Sequence, residues 1–107
     1  MAQLIKRFDV CLVSLAPTIG TEIQKTRPCL IVSPDYFNSG PKVFVAPMTS
    51  RRKIDAMHVP LLFKNIEGDV VLEHMRSVDK LRVLKKLGFI YDQFGMLVLG
   101  KLRIFFS

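Results

Sequence analysis

The feature that most constrains the fold of this chain is a succession of short apolar segments separated by clusters of turn-forming residues. The segments are rich in β-branched residues and are shorter than most helices, so they fit strands of a few residues each. Gly, Pro, Asn and Asp between the segments favour tight turns. The pattern therefore predicts an antiparallel sheet with strands at residues 8–15, 29–33, 42–47, 59–63 and 69–75.

The first two strands differ in their predicted burial. The first alternates in polarity, which places Val10, Leu12 and Phe8 on one apolar face. The second is apolar throughout, as in a central strand that is covered on both faces, and Pro28 stands at its start, where no ladder hydrogen bond is lost. A turn at residues 65–68 is predicted between the last two strands.

The C-terminal part of the chain is less regular. Residues 78–90 fit either a strand or a helix, and Asp92 is placed to cap a final helix in which Gly95 and Gly100 are unfavourable. The predicted fold is mainly β with a C-terminal helix, a small, strongly bent antiparallel sheet or partly open barrel built by a single domain over residues 1–107. The residues predicted to pack the helix against the sheet are Met96, Leu97, Leu99, Ile104 and Phe105.

The chain is strongly basic, with 16 Lys and Arg against 9 Asp and Glu and a formal net charge of +7. Such an excess of one sign predicts a polyanionic partner. The longest apolar stretch, residues 94–106, is interrupted by Lys101 and Arg103 and falls short of the ~20 residues that cross a bilayer, so no membrane association is predicted. The N-terminus does not have the pattern of a signal peptide, which predicts a cytoplasmic protein.

The sequence carries few of the motifs that mark common enzymes. Cys11 and Cys29 lie in apolar segments without metal-ligand spacing, which predicts reduced, buried thiols. There is no nucleophile elbow, phosphate-binding glycine loop, dinucleotide fingerprint or Cys/His metal motif. These features exclude most common enzyme classes and predict that the protein uses no metal and no cofactor.

Two polar loops rich in hydrogen-bond donors are each joined directly to a predicted strand. Such groups suit a phosphodiester, because a fixed guanidinium forks onto phosphate oxygens while a hydroxyl donates beside it, and RNA supplies its own 2′-hydroxyl nucleophile. The alternative is that Arg27 forms only a surface ion pair and that residues 51–53 form a solvated basic face. These residues alone favour that alternative. The first loop offers Thr21, Glu22, Lys25, Thr26 and Arg27, and the second offers Thr49, Ser50, Arg51, Arg52 and Lys53.

An ordered set of short motifs extends over nearly the whole chain. The motifs are Asp9-Val10, Pro17-Thr18-Ile19-Gly20-Thr21-Glu22, Thr26-Arg27-Pro28, Leu30-Ile31-Val32-Ser33-Pro34-Asp35, Val45-Ala46-Pro47-Met48-Thr49-Ser50, His58-Val59-Pro60-Leu61, Gly68-Asp69-Val70-Val71-Leu72 and Arg76-Ser77-Val78-Asp79-Lys80. Each motif is weak alone. Together, in this order, they resemble the MazF/PemK family of toxin endoribonucleases.

The resemblance implies an SH3-like barrel of the MazF, PemK and CcdB type, a homodimer, and a cognate antitoxin that blocks the toxin. It also implies sequence-specific, metal-independent cleavage of single-stranded RNA, which stops translation. Arg27 matches the family's catalytic arginine in the Arg-Pro step, and Thr49 matches its catalytic threonine at the Thr-Ser end of a strand. The implied reaction is attack by the 2′-hydroxyl, leaving a 2′,3′-cyclic phosphate, with Arg27 stabilising the phosphorane.

The sequence departs from the family pattern at three positions. Phe8 stands where Gly is usual, Ile23 follows Glu22 where Gln is usual, and His74 replaces a common Gln. The departures at Ile23 and His74 bear on RNA specificity. Glu73 occupies the place of an acidic residue that some relatives use, so Glu73 and His74 are candidates for a supporting catalytic role.

Other residues of the sequence, and the function as a whole, have more than one interpretation. Arg76 begins a basic segment that fits an RNA backbone, an acidic antitoxin or a solubilising face. His58 begins a predicted strand and is interpreted as structural. The alternative functions are a catalytically inert nucleic-acid-binding module and a CcdB-like toxin that acts on a protein such as gyrase. Retention of Arg27 and Thr49 disfavours the second alternative.

Overall fold

The structure is a computed structural model that describes residues 4–15 and 26–107. In this part of the chain, seven strands form a curled antiparallel sheet, and a helix follows the last strand, which confirms the predicted fold class. The strands are β1 (Asp9–Ser14), β2 (Thr26–Ile31), β3 (Lys42–Thr49), β4 (His58–Phe63), β5 (Ile66–Val71), β6 (Arg76–Asp79) and β7 (Val83–Phe89). The helices are α1 (Asp35–Asn38) and α2 (Asp92–Phe105), and 3₁₀ turns occupy Leu72–His74 and Lys80–Arg82.

The longest strand, β3, joins the two halves of the sheet. The strand order is β4-β5-β3-β2-β1-β7, and β6 also pairs with β3. The first half of β3 pairs with β6, whereas Met48 and Thr49 at its end pair with β5. Strand β2 lies along the other edge of β3. The beginning of β2 and the end of β3 are therefore neighbours, and β5 lies beside them.

The sheet buries apolar side chains on both of its faces. One face packs beneath α2, where Leu30, Val70 and Val98 are completely buried. The opposite face has its own cluster, which includes Cys29 and Val45. Because successive side chains of a strand point to opposite faces, each central strand contributes to both clusters.

Strand β1 is buried on both faces, unlike the one-sided strand predicted from its alternation. Val10 packs beneath α2 with Phe8 beside it, as predicted. Cys11 and Val13, however, are completely buried in the opposite cluster, and Leu12 is only partly buried. The reason is that β1 lies between β2 and β7, with an apolar cluster on each side of the sheet.

The central strand β2 begins earlier than predicted and includes Pro28. Pro28 lies opposite Leu12 of β1, while the pairing of β2 with β3 begins only at Cys29. The proline therefore still lies outside the β2–β3 ladder. Cys29, Leu30 and Ile31 are completely buried, which confirms the predicted burial on both faces.

The turn between β4 and β5 is tighter than the predicted turn at residues 65–68. Lys64 and Asn65 form its two-residue loop with φ of 52° and 63°, as a type I′ hairpin turn requires. Gly68 therefore lies within β5, where a Cβ atom would come 2.7 Å from the carbonyl oxygen of Thr49. Gly68 permits the close approach of β3 and takes no part in the turn.

The segment 69–75, predicted as one strand, is divided between β5 and the first 3₁₀ turn. Leu72 is buried, and its N–H donates to the carbonyl of Met57 at 2.8 Å, which fixes the position where the chain turns. Within residues 78–90, the end of β6 and all of β7 are extended, so the strand alternative is correct there and the helix alternative is wrong.

Helix α2 packs through a different face from the one predicted. Phe94, Gly95, Val98 and Leu102 face the sheet, at a spacing close to one helical turn. The helix is apolar around much of its circumference, so the sequence did not indicate which side is buried. Of the residues predicted to pack, Leu99 is partly buried, and Met96, Leu97, Ile104 and Phe105 are more than half exposed.

Within the described residues, no helix is both long and apolar enough to span a membrane.

The ring of Phe8 packs against Gly95 of α2. Phe8 has φ of 75°, a conformation that Gly adopts at little cost, which accounts for the usual Gly of the MazF/PemK pattern. Its N–H donates to Ile31 and its carbonyl accepts from Ile90, at 2.8 and 3.0 Å. The ring lies against α2 at Gly95, where a Cβ atom would collide with it. The departure at Phe8 therefore fills space that Gly95 leaves open.

Candidate active site

Arg27 and Thr49 lie at the ends of neighbouring strands on one face of the sheet. Cys29 of β2 is opposite Pro47 of β3; Arg27 lies two residues before Cys29 and Thr49 two residues after Pro47, and both line one cavity. Thr49 in turn pairs with Asp69 of β5. Because directly opposed residues share a face, Arg27, Thr49 and Asp69 start from the same face and the same end of the sheet. This is the face opposite α2.

These strand ends open onto a cavity of about 570 Å³ in which cations outnumber carboxylates. A cavity of this charge attracts a polyanion. Residues from both predicted donor loops meet here, together with residues of the first 3₁₀ turn. The predicted site residues that line the cavity are Arg27, Thr49, Arg51, Arg52, Lys53, Glu73 and His74.

Other predicted site residues lie elsewhere. Ser50 lines an adjacent, smaller cavity of about 280 Å³, whose walls include Leu61 and Phe63. Arg76 is exposed on β6, opposite Val45. Three predicted RNA contacts, and the departure at Ile23, lie outside the described residues; these contacts are Thr21, Glu22 and Lys25.

The hydroxyl of Thr49 is oriented by its own loop. The backbone N–H of Arg51 donates to Thr49 Oγ1 at 3.1 Å. This bond occupies a lone pair of the oxygen and leaves the hydroxyl hydrogen available for donation. Thr49 is therefore suited to donate a hydrogen bond to an anionic oxygen in the cavity.

Arg52 differs from its neighbours because carboxylates hold its guanidinium. Its Nε donates to Asp69 Oδ1 at 3.0 Å, and its Nη1 donates to Glu67 Oε1 at 2.9 Å. Lys53 is held more loosely, since its ammonium is 3.7 Å from Asp55 and its side chain is 64% exposed. The positive charge of Arg52 is therefore already opposed within the protein, whereas Lys53 can reach an external anion.

Asp69 connects the loop of residues 50–57 to the sheet. Its side chain is 2% exposed, and its Oδ2 accepts from the Lys53 N–H at 2.8 Å and lies 3.0 Å from His58 Nδ1. Burial on its own raises the pKa of a carboxyl. The hydrogen bonds from Lys53, His58 and Arg52 outweigh this effect and hold the pKa of Asp69 below its usual range. Asp69 is therefore an ionised anchor for the loop.

The sequence pattern gave no role to Asp69 and only a structural role to His58. The bond between His58 and Asp69 agrees with a structural role, but the His58 ring also lines the cavity that Arg27 and Thr49 line. A signal for Asp69 was present in the sequence, since it is a carboxylate in an otherwise apolar segment, and a buried charge requires partners. The partners themselves lie in other segments of the chain.

Glu73 and His74 reach the cavity from a 3₁₀ turn, not from the apolar strand predicted to contain His74. Their side chains are 49% and 66% exposed, and His74 Nε2 lies 3.9 Å from Glu73 Oε2. His58, in comparison, is 11% exposed and bonded to a buried carboxylate. Among these residues, His58 is held most rigidly.

The two cysteines face each other across β1 and β2 and are both free and completely buried. Burial raises the pKa of Cys11 to about 11 and that of Cys29 to about 12, so both thiols stay protonated near neutral pH. The prediction of reduced, buried thiols is confirmed. Neither thiol is suited to act as a nucleophile.

Across residues 4–15 and 26–107, no three His, Cys, Asp or Glu side chains come together in a group that fits a metal ion. The described side chains of the cavity instead offer positive charge, hydrogen-bond donors and proton acceptors. This combination suits chemistry on a phosphodiester.

Comparison with known proteins identifies relatives along nearly the whole chain. The family model described as PemK-like, MazF-like toxin of type II toxin-antitoxin system matches residues 6–106. The solved structure of MazF (Form-I) from Deinococcus radiodurans has a TM-score of 0.80 and 26% identity, with 98% of each chain covered. MazE-MazF (Form-II) from the same organism gives a TM-score of 0.84 and 26% identity, with 98% of this chain and 97% of that chain covered.

A more distant structure has the same fold. An endoribonuclease in complex with its cognate antitoxin, from a mycobacterial species, has a TM-score of 0.79 at 19% identity, covering 94% of this chain and 92% of its own. At that identity, the likeness supports the fold alone. The family model spans the described strands, the cavity and α2. The chain therefore belongs to the family of PemK-like, MazF-like toxins of type II toxin–antitoxin systems.

Proposed function

We propose that this toxin is a sequence-specific, metal-independent endoribonuclease that cleaves single-stranded RNA, including mRNA, and thereby inhibits translation and growth. The observation that carries the proposal is the arrangement of Arg27 and Thr49 beside one basic cavity. The family membership supports the same reaction class. In this proposal the two residues are the catalytic pair.

The proposed reaction uses the nucleophile that RNA itself carries. The 2′-hydroxyl oxygen attacks the adjacent phosphorus, the bond from phosphorus to the 5′-oxygen breaks, and the products carry a 2′,3′-cyclic phosphate and a 5′-hydroxyl. Arg27 donates to the non-bridging oxygens as negative charge develops on the phosphorane, and Thr49 donates its hydroxyl hydrogen beside it. Arg27 stays protonated throughout, so its role is electrostatic.

The RNA strand is proposed to cross the cavity along the loop that follows β3. Arg51 and Lys53 are the cations of this loop suited to contact phosphates, and Ser50 adds a hydroxyl toward the adjacent cavity. Arg52 also lines this cavity and is proposed to contact the RNA while its Nε donates to Asp69. The remaining proposed contacts are Thr21, Glu22, Lys25 and Arg76.

The proposed protein partner is a cognate antitoxin with an acidic segment that covers the cavity. One solved MazF relative is described as a MazE-MazF complex, and the cations of the cavity complement an acidic chain. A partly disordered acidic segment can fold on binding and cover a large surface. The test is a competition between RNA and the product of an adjacent reading frame. Simultaneous, independent binding of both would refute a shared groove.

A homodimer is the proposed assembly. It is supported by the apolar residues of α2 that stay exposed, which include Leu97, Ile104 and Phe105, each more than half exposed. Exposed apolar residues concentrated on one element mark an interaction surface. Sedimentation at micromolar protein is expected to give a dimer, and a monomer at every concentration would reject the assembly.

The function is tested by incubating the purified protein with a long unstructured RNA, with and without excess EDTA, and mapping the new ends. We expect cleavage at a short recurring sequence, the cyclic-phosphate and 5′-hydroxyl ends, and no effect of EDTA. Replacing the 2′-hydroxyl at the cleavage site with hydrogen removes the nucleophile, so that RNA is expected to stay intact.

Three outcomes would contradict the proposal in different ways. Cleavage that EDTA abolishes and magnesium restores would rule out the metal-independent mechanism. Salt-dependent RNA binding without any cleaved product would identify an inert binding module. Inhibition of gyrase without RNA cleavage would identify a CcdB-like toxin.

A further inference from the structure

The pair formed by His58 and Asp69 is built like an acid–base unit. Asp69 is almost completely buried in β5, and its Oδ2 lies 3.0 Å from His58 Nδ1. The other oxygen, Oδ1, accepts from Arg52 Nε at 3.0 Å, and the Lys53 N–H donates to Oδ2 at 2.8 Å. Three contacts therefore fix the carboxylate, and the fixed carboxylate in turn fixes the His58 ring.

The ionised carboxylate also determines which ring nitrogen of His58 carries the proton. A carboxylate only accepts hydrogen bonds, so the contact with Oδ2 requires a proton on Nδ1. In the neutral ring, Nε2 then has a free lone pair. The His58 ring lines the cavity that Arg27 and Thr49 also line, so His58 is part of the candidate active site.

The proposed cleavage needs a proton acceptor that Arg27 and Thr49 do not provide. Both act as hydrogen-bond donors, whereas the attacking 2′-hydroxyl has to lose a proton. Among the described residues, the other side-chain proton acceptors that line the cavity are Glu73 and His74, which are about half exposed or more and lie in a short turn. His58 is the acceptor that a buried partner holds in one orientation, and such preorganisation favours catalysis.

We infer that His58, positioned by Asp69, is the proton acceptor for the 2′-hydroxyl, an inference that rests on the proposed ribonuclease function. The proton passes from the 2′-oxygen to His58 Nε2 while the 2′-oxygen forms its bond to phosphorus. The bond to the 5′-oxygen breaks with its electron pair on that oxygen, which takes a proton from water. His58 afterwards returns its proton to the solvent.

Charged groups from several elements face the His58 ring, so a pH profile reports on the whole cluster. The loop before β4 contributes Asp55 as well as cations, β2 contributes Arg27, and α2 contributes Lys101 to a neighbouring cavity of about 620 Å³ that His58 also lines. The remaining charged or titratable neighbours are Asp69, Arg51, Arg52, Lys53, Glu73 and His74. The chain has two histidines, so His74 provides the matched comparison for any change at His58.

The kinetic test compares His58→Gln with His74→Gln. The Gln side chain can still donate to Asp69, but it cannot take up a proton. We expect the cleavage rate of wild type to rise with pH between about 5 and 8, and His58→Gln to lose this rise and ~10²–10⁴-fold in rate while His74→Gln keeps the rise. Free imidazole is expected to restore cleavage to His58→Ala. Loss of the rise in His74→Gln but not in His58→Gln would overturn the assignment.

A second measurement separates this inference from the proposed function. Nitrogen-15 NMR of the histidine rings in the wild-type protein reports the tautomer without any RNA, and we expect the proton of neutral His58 on Nδ1. A proton on Nε2 would overturn the inference even if RNA is cleaved. No RNA cleavage by wild type with the expected tautomer would overturn the ribonuclease function and the proton transfer together. Cleavage that His58→Gln leaves unchanged would overturn only the role of His58.

Discussion

Leu30 of β2 and Val70 of β5 are completely buried beneath α2, whereas Arg27 and Asp69 of the same two strands start from the opposite face of the sheet. The two faces are separated by the alternation of side chains along a strand. Both faces gain free energy of folding from apolar burial, and the end of the face opposite α2 also collects charge and hydrogen-bond donors. A substitution in the core beneath α2 is therefore expected to lower stability and spare the site, and a substitution at the site is expected to do the reverse.

The largest effect on stability is expected from Leu30→Ala. Removing a completely buried Leu side chain costs about 2–5 kcal/mol of the free energy of unfolding, because the core relaxes only partly around the cavity. Urea unfolding measures this loss. Leu84→Ala, at a Leu that is 51% exposed, is the matched control and is expected to change stability by less than ~0.5 kcal/mol. If Leu30→Ala also lowers the cleavage rate per folded molecule, the two faces are not independent.

Thr49→Ala tests the face of the sheet that carries the candidate active site, where we expect a loss of activity without a loss of stability. Loss of one hydrogen-bond donor to the transition state is expected to reduce the cleavage rate ~10²–10³-fold and to leave the urea midpoint nearly unchanged. Ser77→Ala is the control, since Ser77 carries an exposed hydroxyl on β6 and is not among the residues that line the cavity. Equal rates for the two variants would show that Thr49 donates nothing to the reaction.

Asp69 lies between the two roles, because it is buried and also anchors the site. The pKa of Asp69 in the folded protein is lower than its ordinary value of 3.8, so its contribution to stability is present above that value and is lost as pH falls through the folded pKa. Asp69→Asn is expected to lower the free energy of unfolding by about 1–3 kcal/mol at neutral pH. Its stability is also expected to fall less than that of wild type as the pH is lowered. Urea midpoints across the acid range measure both effects. Asp79→Asn, at an exposed carboxylate, is the control, and identical profiles for the two variants would contradict the anchoring role.

The two glycines of α2 differ in what a Cβ atom would meet, and the smallest effect is expected at Gly100. A Cβ atom at Gly100 meets nothing within 4 Å, so Gly100→Ala is expected to raise stability by about 0.5–1 kcal/mol. A Cβ atom at Gly95 collides with the ring of Phe8, so Gly95→Ala is expected to lower stability by about 1–3 kcal/mol. In a Phe8→Gly background, Gly95→Ala is expected to cause no such loss of stability. If it persists there, the Phe8 ring is not the reason that Gly95 is required.

The sequence predicts those parts of the molecule that depend on local pattern. Apolar segments indicated most strands, and the ordered motifs indicated the fold and the pair Arg27 and Thr49. The face of α2 was not predictable, because the helix is apolar around much of its circumference. The turn was placed near Gly68 because glycine is a strong turn signal, whereas Gly68 in fact permits the close approach of β3.

The site network was harder to predict than the strands. Asp69 meets Arg52, Lys53 and His58 only after β3, β4 and β5 have paired, and no short motif encodes that meeting. The two catalytic candidates were identified by resemblance, and their roles stay predictions. The same holds for the predicted RNA contacts before β2, which lie outside the described residues.

The most direct test of the proposed active site is the cleavage rate of Arg27→Ala compared with that of Arg103→Ala on the same RNA. Both variants remove one arginine, but Arg27 lines the cavity and Arg103 is exposed near the end of α2. We expect a ~10²–10³-fold loss for Arg27→Ala at an unchanged urea midpoint, and a rate close to that of wild type for Arg103→Ala. Cleavage by folded Arg27→Ala at nearly the wild-type rate would contradict the claim and place the active site elsewhere.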